Sequence, residues 1–205
     1  MVDATPLTPP GETDPLRFLV LSCSLDPVSR SRVLAELATE RLRERGHAVE
    51  LVDLRDHPLP AFDNAAVFDH PEVERLNGRI AAADGVLLAS PVYNWSLGSA
   101  LKNLVEVTGT TNDQRRAPWF DKAVTFLCAG GLPHSYMAHL SVANALMLDF
   151  KCLINPYHVY ATERSFPPGG PPDEAMLRRL DRTLTVAVVL SGRFKDPGYS
   201  SDWEV

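Results

Sequence analysis

Hydrophobic and polar residues follow two alternating patterns along this chain. Short, nearly continuous apolar runs are bounded by turn-forming residues, and between them apolar positions recur every three or four residues. The runs predict buried strands, and the 3.6-residue period predicts amphipathic helices. The predicted strands lie at residues 17–22, 47–54, 85–90, 122–131 and 154–162. The predicted helices lie around residues 33–42, 76–83, 97–108, 136–150 and 177–188.

Strands that alternate with helices indicate a parallel sheet covered on both faces. Five such strands fit a doubly wound, flavodoxin-like α/β sheet with helices on both faces, and we expect it to occupy residues 16–193. Residues 1–15 and 194–205 lack a periodic apolar face, so we expect loosely attached tails, although Trp203 is large enough to dock on a neighbour. In such sheets ligands bind beyond the carboxyl ends of the strands, where the strand order reverses. The loops after the first, third and fourth strands are therefore predicted to carry the function.

Charge and cysteine content narrow the classes of partner. The 205 residues carry a formal net charge of −6, which argues against nucleic-acid binding because phosphate backbones are bound by Lys and Arg. No apolar stretch approaches the roughly 20 residues that cross a bilayer, and the first residues have no basic or apolar region of a secretory signal. Cys23, Cys128 and Cys152 lack metal-ligand spacing and fit reduced, buried thiols. We expect a cytoplasmic protein with no metal, membrane or nucleic-acid partner.

The first loop, residues 22–32, places hydroxyl groups in front of a predicted helix. The N-terminus of a helix attracts anions because its N–H groups are unpaired and its dipole is positive there. The chain has neither the glycine-lysine loop of nucleotide triphosphatases nor the GxGxxG dinucleotide fingerprint, so a monophosphate ester is the expected ligand. Arg30 or Arg32 is a candidate for an additional contact to the phosphate. The alternative is that Ser29 or Ser31 only caps the helix and the other serines are ordinary turn residues.

The second loop, residues 90–96, carries large side chains between two defined ends. Pro91 has no N–H and is expected to end strand pairing, and Ser96 is placed to cap a helix that begins near residue 97. Tyr93, Asn94 and Trp95 lie between them. An amide, backbone N–H groups and aromatic faces on a rigid turn suit a flat heteroaromatic ligand. The alternative is that either ring packs on a neighbouring subunit.

The third loop, residues 128–135, contains a glycine pair after the fourth strand. Gly130 and Gly131 lack side chains where a ligand would approach the backbone closely, although an ordinary glycine turn has the same composition. His134 follows, and we interpret it as a residue at the start of a helix rather than as a catalyst.

Three motifs in these loops resemble those of a known family. The first loop reads Cys-Ser-Leu-Asp-Pro-Val-Ser-Arg-Ser over residues 23–31, where the family has roughly Gly-Ser-Leu-Arg-x-x-Ser-x-Asn. The second reads Ser-Pro-Val-Tyr-Asn-Trp-Ser over residues 90–96, followed by Leu-Lys-Asn at 101–103, close to the family's Ser/Thr-Pro-Glu-Tyr-Asn-Gly-Ser and Leu-Lys-Asn. The glycine pair is the third. On these motifs, residues 17–190 resemble the NADPH-dependent FMN reductase family, whose members include quinone, azo-dye and chromate reductases.

The resemblance implies an FMN site assembled from the three loops. Its phosphate would lie on Ser24, Ser29 and Ser31. Its isoalloxazine ring would lie on the turn that contains Pro91, Val92, Tyr93, Asn94 and Trp95, with Gly130 and Gly131 close to the ring system. FMN would take hydride from NADPH or NADH and pass it to a small-molecule acceptor such as a quinone or free flavin, without a catalytic side-chain acid or base.

The resemblance also implies that several copies of the chain assemble. The family's open ring face lies at a subunit interface, so we expect a homodimer or homotetramer with residues 108–122 near that face and Arg115 or Arg116 near the dinucleotide.

Three residues of the motifs depart from the family pattern. Asp26, Val92 and Trp95 stand where the family has Arg, Glu and Gly, and we expect Asp26 to face solvent or to bond local backbone N–H groups. The alternatives are an FMN-binding electron carrier or sensor without efficient NAD(P)H turnover, and a domain that binds a partner or another phosphorylated ligand.

Overall fold

The strands and helices alternate as predicted. The structure, a computed structural model, describes residues 14–109, 117–167 and 170–203. Its strands are β1 (Arg17–Ser22), β2 (Ala48–Asp53), β3 (Gly85–Tyr93), β4 (Ser96–Leu97), β5 (Ala123–Ala129), β6 (Leu153–Ile154) and β7 (Val159–Ala161). Its α-helices are α1 (Arg30–Glu44), α2 (Pro71–Ala82), α3 (Ser99–Thr108), α4 (Leu140–Phe150) and α5 (Glu174–Phe194). None of these helices is long and apolar enough to cross a membrane.

The strands form one sheet with the order β2-β1-β3-β5-β6, in which β7 also pairs with β5 and β4 pairs with β3. Every pair is parallel except the β3–β4 hairpin. The register places Leu21 between Val52 and Leu88, and Ala89 lies opposite Leu127. The strand order reverses at β1, whose neighbours are β2 and β3, so the loops after β1, β3 and β5 meet at one edge of the sheet. The predicted doubly wound, flavodoxin-like fold is confirmed.

The core has two parts because successive strand residues face opposite sides of the sheet. Leu19 and Leu21 pack under α2, α3 and α4, whereas Phe18 and Val20 pack under α1 and α5. Both faces are covered, which explains why the central strands read as continuous apolar runs. Each fully buried Leu or Phe contributes about 1.5–3 kcal/mol to the hydrophobic stabilisation. The loops at the carboxyl edge are therefore anchored on a well-packed sheet.

The fifth predicted strand is the main correction to the secondary structure. Residues 154–162 are divided between β6 and β7 by a buried amide at Asn155. Its Nδ2 donates to Thr125 Oγ1 and to the Thr183 carbonyl, both at 3.1 Å, and its Oδ1 accepts from Tyr157 N at 2.9 Å. Pro156 then has no N–H to donate to the ladder. The side-chain hydrogen bonds of Asn155 and the missing N–H of Pro156 interrupt the pairing with β5 between the two short strands.

The residues after α5 return to the body of the domain. The Trp203 ring lies edge-on to Phe120 and Phe150, with centroids 5.2 and 5.4 Å away. Ser201 donates through its hydroxyl to Asp121 Oδ1 at 2.6 Å and through its backbone N–H to Asp121 Oδ2 at 2.9 Å. The described part of the C-terminal segment thus contacts the end of α4. Residues 1–13 and 110–116, with Arg115 and Arg116, lie outside the described residues.

Candidate cofactor-binding site

The three predicted loops form one cleft. It encloses about 100 Å³ and is lined by residues of all three loops. Seven of the ten predicted site residues line it: Ser29, Ser31, Pro91, Val92, Tyr93, Gly130 and Gly131. The others, Ser24, Asn94 and Trp95, lie outside that lining. The topology therefore brings together three segments that are far apart in the sequence.

The serines of the first loop are organised around the start of α1. Ser29 is the N-cap, and its Oγ accepts from Arg32 N at 3.4 Å. The Ser29 and Ser31 hydroxyl oxygens are 2.9 Å apart, and both residues are buried. The first turn of α1 contains no acidic residue to offset the positive end of the helix dipole. Two hydroxyl groups and free helix N–H groups thus face the cleft, so the capping role and an anion-binding role are compatible.

Ser24 and Asp26 shape the loop from within. Ser24 is 2% exposed, and its Oγ accepts from Asp26 N at 3.3 Å. Asp26 Oδ1 accepts from Val28 N at 2.9 Å, which is the local backbone bond expected for it. Ser24 therefore acts on the loop conformation and does not face the cleft.

Arg32 supports this loop from behind, a role that the sequence did not reveal. Its guanidinium forms a short ion pair with Asp53 and donates to the carbonyls of Ser24 at 3.0 Å and Asp26 at 2.9 Å. The hydrogen bond to Asp53 raises the pKa of Arg32 above its usual value. With these partners Arg32 is not available to a phosphate. Arg30, which lines the cleft, pairs with Glu163 at 2.9 Å.

The second loop is a tight hairpin, which corrects two expectations. Pro91 does not end strand pairing: it lies opposite Ala129 within β3, and its carbonyl accepts from Gly98 N at 3.0 Å. Its missing N–H is harmless because the β1–β3 register ends at Ser22 and Ala89, so no strand flanks Pro91 on that side. Ser96 does not cap α3 either. It belongs to β4, and the N-cap is Gly98.

The tip of the hairpin consists of Asn94 and Trp95, with φ angles of 49° and 62°. Positive φ at both central residues is the type I′ pattern that matches the twist of the flanking strands. Asn accepts this conformation more readily than Trp does. The Trp95 side chain is 63% exposed and stacks on His134, with ring centroids 5.0 Å apart. This contact joins the second loop to the third, next to the cleft-lining residues Tyr93 and Gly131.

The two glycines of the third loop differ in the space around them. A Cβ at Gly130 would collide with the Tyr160 hydroxyl, whereas a Cβ at Gly131 would meet no atom within 4 Å. The Tyr160 hydroxyl donates to the Leu132 carbonyl at 2.5 Å, and burial raises its pKa. Gly130 is therefore required by an internal contact that the sequence did not show. Gly131 faces open space at the cleft.

A stacked histidine pair lies beneath the same loop. The rings of His139 and His158 are 3.9 Å apart, and the His139 ring also contacts Phe126. Burial lowers the pKa of both residues, and His139 and Arg179 lower that of His158 further, to about 4. Both rings are therefore neutral near pH 7. The pair packs under the segment that carries His134.

Comparison with known proteins identifies relatives of this chain. The family model described as NADPH-dependent FMN reductase matches residues 16–164. An FMN reductase (NADPH) of Pseudomonas putida is 37% identical over 92 residues, which are 44% of this chain and 46% of that protein. A probable NADPH:quinone oxidoreductase 2 of Oryza sativa is 35% identical over 129 residues, 59% of this chain and 60% of that protein. The chain thus spans about half the length of the curated relatives that it matches.

Solved structures share the fold at lower sequence identity. The flavoenzyme NAD(P)H:(acceptor) oxidoreductase FerB of Paracoccus denitrificans superposes with a TM-score of 0.69 at 20% identity, over 91% of this chain and all of that one. The structure of RosB, solved with a formyl derivative of riboflavin phosphate, gives a TM-score of 0.73 at 18% identity, over 91% of this chain and 83% of that one. At these identities the similarity establishes the fold.

Proposed function

Because the chain belongs to the NADPH-dependent FMN reductase family, we propose that it binds FMN in the cleft and transfers hydride from a nicotinamide cofactor to a small acceptor such as a quinone or free flavin. The observation that supports this most is the convergence of the three motif-bearing loops on one cleft at the switch point of the sheet. The cleft combines an electropositive helix end with an open, aromatic mouth.

The phosphate of FMN would be held at the base of the cleft. The Ser29 and Ser31 hydroxyls and the first N–H groups of α1 are the donors there, with Arg30 at the edge. Arg30 is already paired with an exposed Glu163, whose carboxylate costs little to displace because exposed pairs are weak. Ser24 would contribute indirectly, by fixing the loop.

The flavin ring would lie at the mouth. The enclosed volume of about 100 Å³ is well below the roughly 300 Å³ at the lower end of small-molecule pockets, so a tricyclic ring would stay partly outside it. Val92, Tyr93 and Gly131 line that opening, and Asn94 and Trp95 stand at the hairpin tip above it. When bound, FMN supplies the redox chemistry, and the chain positions the ring and limits access to it.

A second copy of the chain would complete the site. Large apolar side chains on and just before α4 are exposed beside the third loop: Tyr136, Met137, Leu140, Met147 and Leu148 are between 38% and 71% exposed. Several large exposed apolar side chains on one element are typical of an interface. We propose a homodimer or homotetramer in which this surface, called the α4 surface, is buried.

A cytoplasmic location suits the thiols. All three cysteines are free and buried, and burial raises the pKa of Cys128 and Cys152 to about 12. Such thiols are unreactive and need no disulfide partner, which is compatible with a reducing compartment.

The test is the visible spectrum of the purified chain, with and without added FMN, before and after anaerobic addition of NADPH. We expect a yellow protein that bleaches rapidly and is reoxidised by a quinone. A yellow protein that bleaches with dithionite but only very slowly with NADPH or NADH would favour an electron carrier or sensor, a function that the Trp95–His134 contact at the mouth also suits. A colourless protein that gains no stability from FMN would contradict the proposal, since ligand at a hundred times its Kd stabilises by about 2.7 kcal/mol.

A further inference from the structure

A second cleft lies beside the first and has no role in the function proposed so far. It encloses about 370 Å³ and is lined mainly by apolar side chains of the first loop, of the segment after β2 and of α3. The first cleft, formed by the three predicted loops, is called the cofactor cleft from here on. The first loop separates the two clefts: Leu25 lines the second cleft, and the next residue, Asp26, lines the cofactor cleft. We call the second cleft the Arg55 cleft. Both clefts open at the carboxyl edge of the sheet.

The wall of the Arg55 cleft is held in place by hydrogen bonds. Asn103 of α3 donates through Nδ2 to the Pro60 carbonyl at 2.9 Å and accepts from Phe62 N at 2.9 Å. These bonds tie the segment after β2 to the helix. The floor formed by Leu54, Leu59 and Ala100 is therefore preformed, which lowers the entropic cost of binding a ligand.

Among the described residues that line this cleft, Arg55 is the only one that carries a full charge. Its backbone N–H donates to Asp53 Oδ1 at 3.0 Å, but its guanidinium has no hydrogen bond or ion pair with any residue in the described ranges. Arg32, on the other side of the same loop, is fully engaged. An exposed guanidinium above an apolar floor suits a planar base that carries a phosphate group, since Arg binds phosphate through paired N–H donors.

The loop between the clefts also exposes apolar surface. Leu25 is 62% exposed and Val28 is 85% exposed, one facing each cleft. A ligand that lay across the loop would cover both side chains. A dinucleotide has the required form, with two ring systems joined by a flexible diphosphate.

We propose that the Arg55 cleft binds the adenosine 2′-phosphate end of NADPH, and that Arg55 selects NADPH over NADH. The adenine lies on the apolar floor, the guanidinium binds the 2′-phosphate, and the nicotinamide end reaches across the first loop to the cofactor cleft. This inference rests on the proposed reductase function for its choice of ligand.

The experiment measures binding and turnover separately, with the full chain loaded with FMN. Adenosine 2′,5′-bisphosphate is titrated by calorimetry, with adenosine 5′-monophosphate as the probe that lacks the 2′-phosphate. We expect the bisphosphate to bind at least about tenfold more tightly, a difference of about 1.4 kcal/mol. Arg55→Gln should remove that difference, and Arg55→Lys should keep part of it because a charge remains.

Turnover gives the second readout. Arg55→Gln should raise the KM for NADPH about tenfold and leave the KM for NADH and for the acceptor unchanged. The matched control is Arg193→Gln. It removes the same charge from an exposed arginine near the end of α5, beside the start of β3 at the opposite edge of the sheet.

The outcomes are distinguishable from failure of the proposed function. Equal weakening of NADPH and NADH, a changed KM for the acceptor alone, or equal binding of the two adenosine probes by the wild-type chain would overturn the inference. If the protein holds no flavin, the same titration on the flavin-free chain still decides whether Arg55 reads a 2′-phosphate.

Discussion

The base and the mouth of the cofactor cleft are built in opposite ways. At the base, Ser29 and Ser31 are buried and hydrogen-bonded, and Arg32 ties the loop to the sheet. At the mouth, Asn94 and Trp95 have left-handed backbone conformations, and the indole is largely exposed. Strained residues persist where the surrounding structure over-determines them, often where a ligand is handled. The difference supports the proposal that the base would hold one group in one place, whereas the mouth would present an aromatic surface to approaching molecules.

The largest effect on stability and on FMN affinity is expected when Arg32, which holds the loop at the base of the cleft, is removed. Arg32→Ala leaves the Asp53 carboxylate without its partner in a site where both side chains are less than a fifth exposed. We expect a loss of about 2–4 kcal/mol in the free energy of unfolding, because an unpaired buried charge is costly, together with a strongly weakened affinity for FMN. Urea denaturation and FMN titration measure the two effects. The control is Arg41→Ala, which breaks the more exposed pair with Asp181 and should cost less than about 1 kcal/mol.

Lowering the pH should destabilise the third loop before it affects the serine loop at the base of the cleft. The pKa of His158 is about 4 in the folded protein and about 6.5 when unfolded, so the unfolded chain binds more protons as pH falls through this window. Stability contributed by the neutral pair is complete above pH 6.5 and is lost progressively towards pH 4. Allowing for the partial exposure of His158, we expect a loss of about 1–2 kcal/mol between pH 7 and pH 5. Urea midpoints of the wild type, His158→Gln and the exposed His134→Gln measure it, and only His158→Gln should flatten the dependence.

The hairpin side chains should matter to a smaller extent for flavin retention. Tyr93→Ala removes a side chain that lines the cleft, and Asn94→Ala removes an amide at the tip. We expect each to weaken FMN affinity about five- to tenfold, which corresponds to about 1–1.4 kcal/mol. Asn94→Gly is the control because it preserves the positive φ while it removes the amide. Unchanged affinity in Tyr93→Ala and in both Asn94 variants would exclude the hairpin from the flavin site.

The smallest expected effect on stability comes from Trp95. Trp95→Gly and Trp95→Ala both lose the contact with His134, but only glycine relieves the positive φ. The glycine variant should therefore be more stable than the alanine variant by about 1 kcal/mol. Both should turn over bulky quinones faster than the wild type, with little change for small ones. Equal or lower rates with quinones of every size would show that the indole does not restrict the mouth.

The sequence predicted most of the fold because its signals there are local. Apolar runs and helical periodicity located the central strands and the helices, since burial imposes those patterns directly. The N-cap role of Ser29 and the backbone bond of Asp26 were equally accessible, because both involve neighbours within three residues. Seven predicted site residues came together because carboxyl ends of parallel strands share one edge.

What the sequence alone missed depends on partners that are distant along the chain. Pro91 continues its strand because β1 ends beside it, Gly130 is required by Tyr160, and Arg32 is engaged by Asp53. The Arg55 cleft exists because Asn103 holds a segment about 40 residues earlier in the chain. Composition and periodicity therefore determined the class of fold and the three loops of the candidate site. Only the tertiary structure decided which side chains face the clefts and which are engaged elsewhere, because those contacts form only when the sheet brings distant residues together.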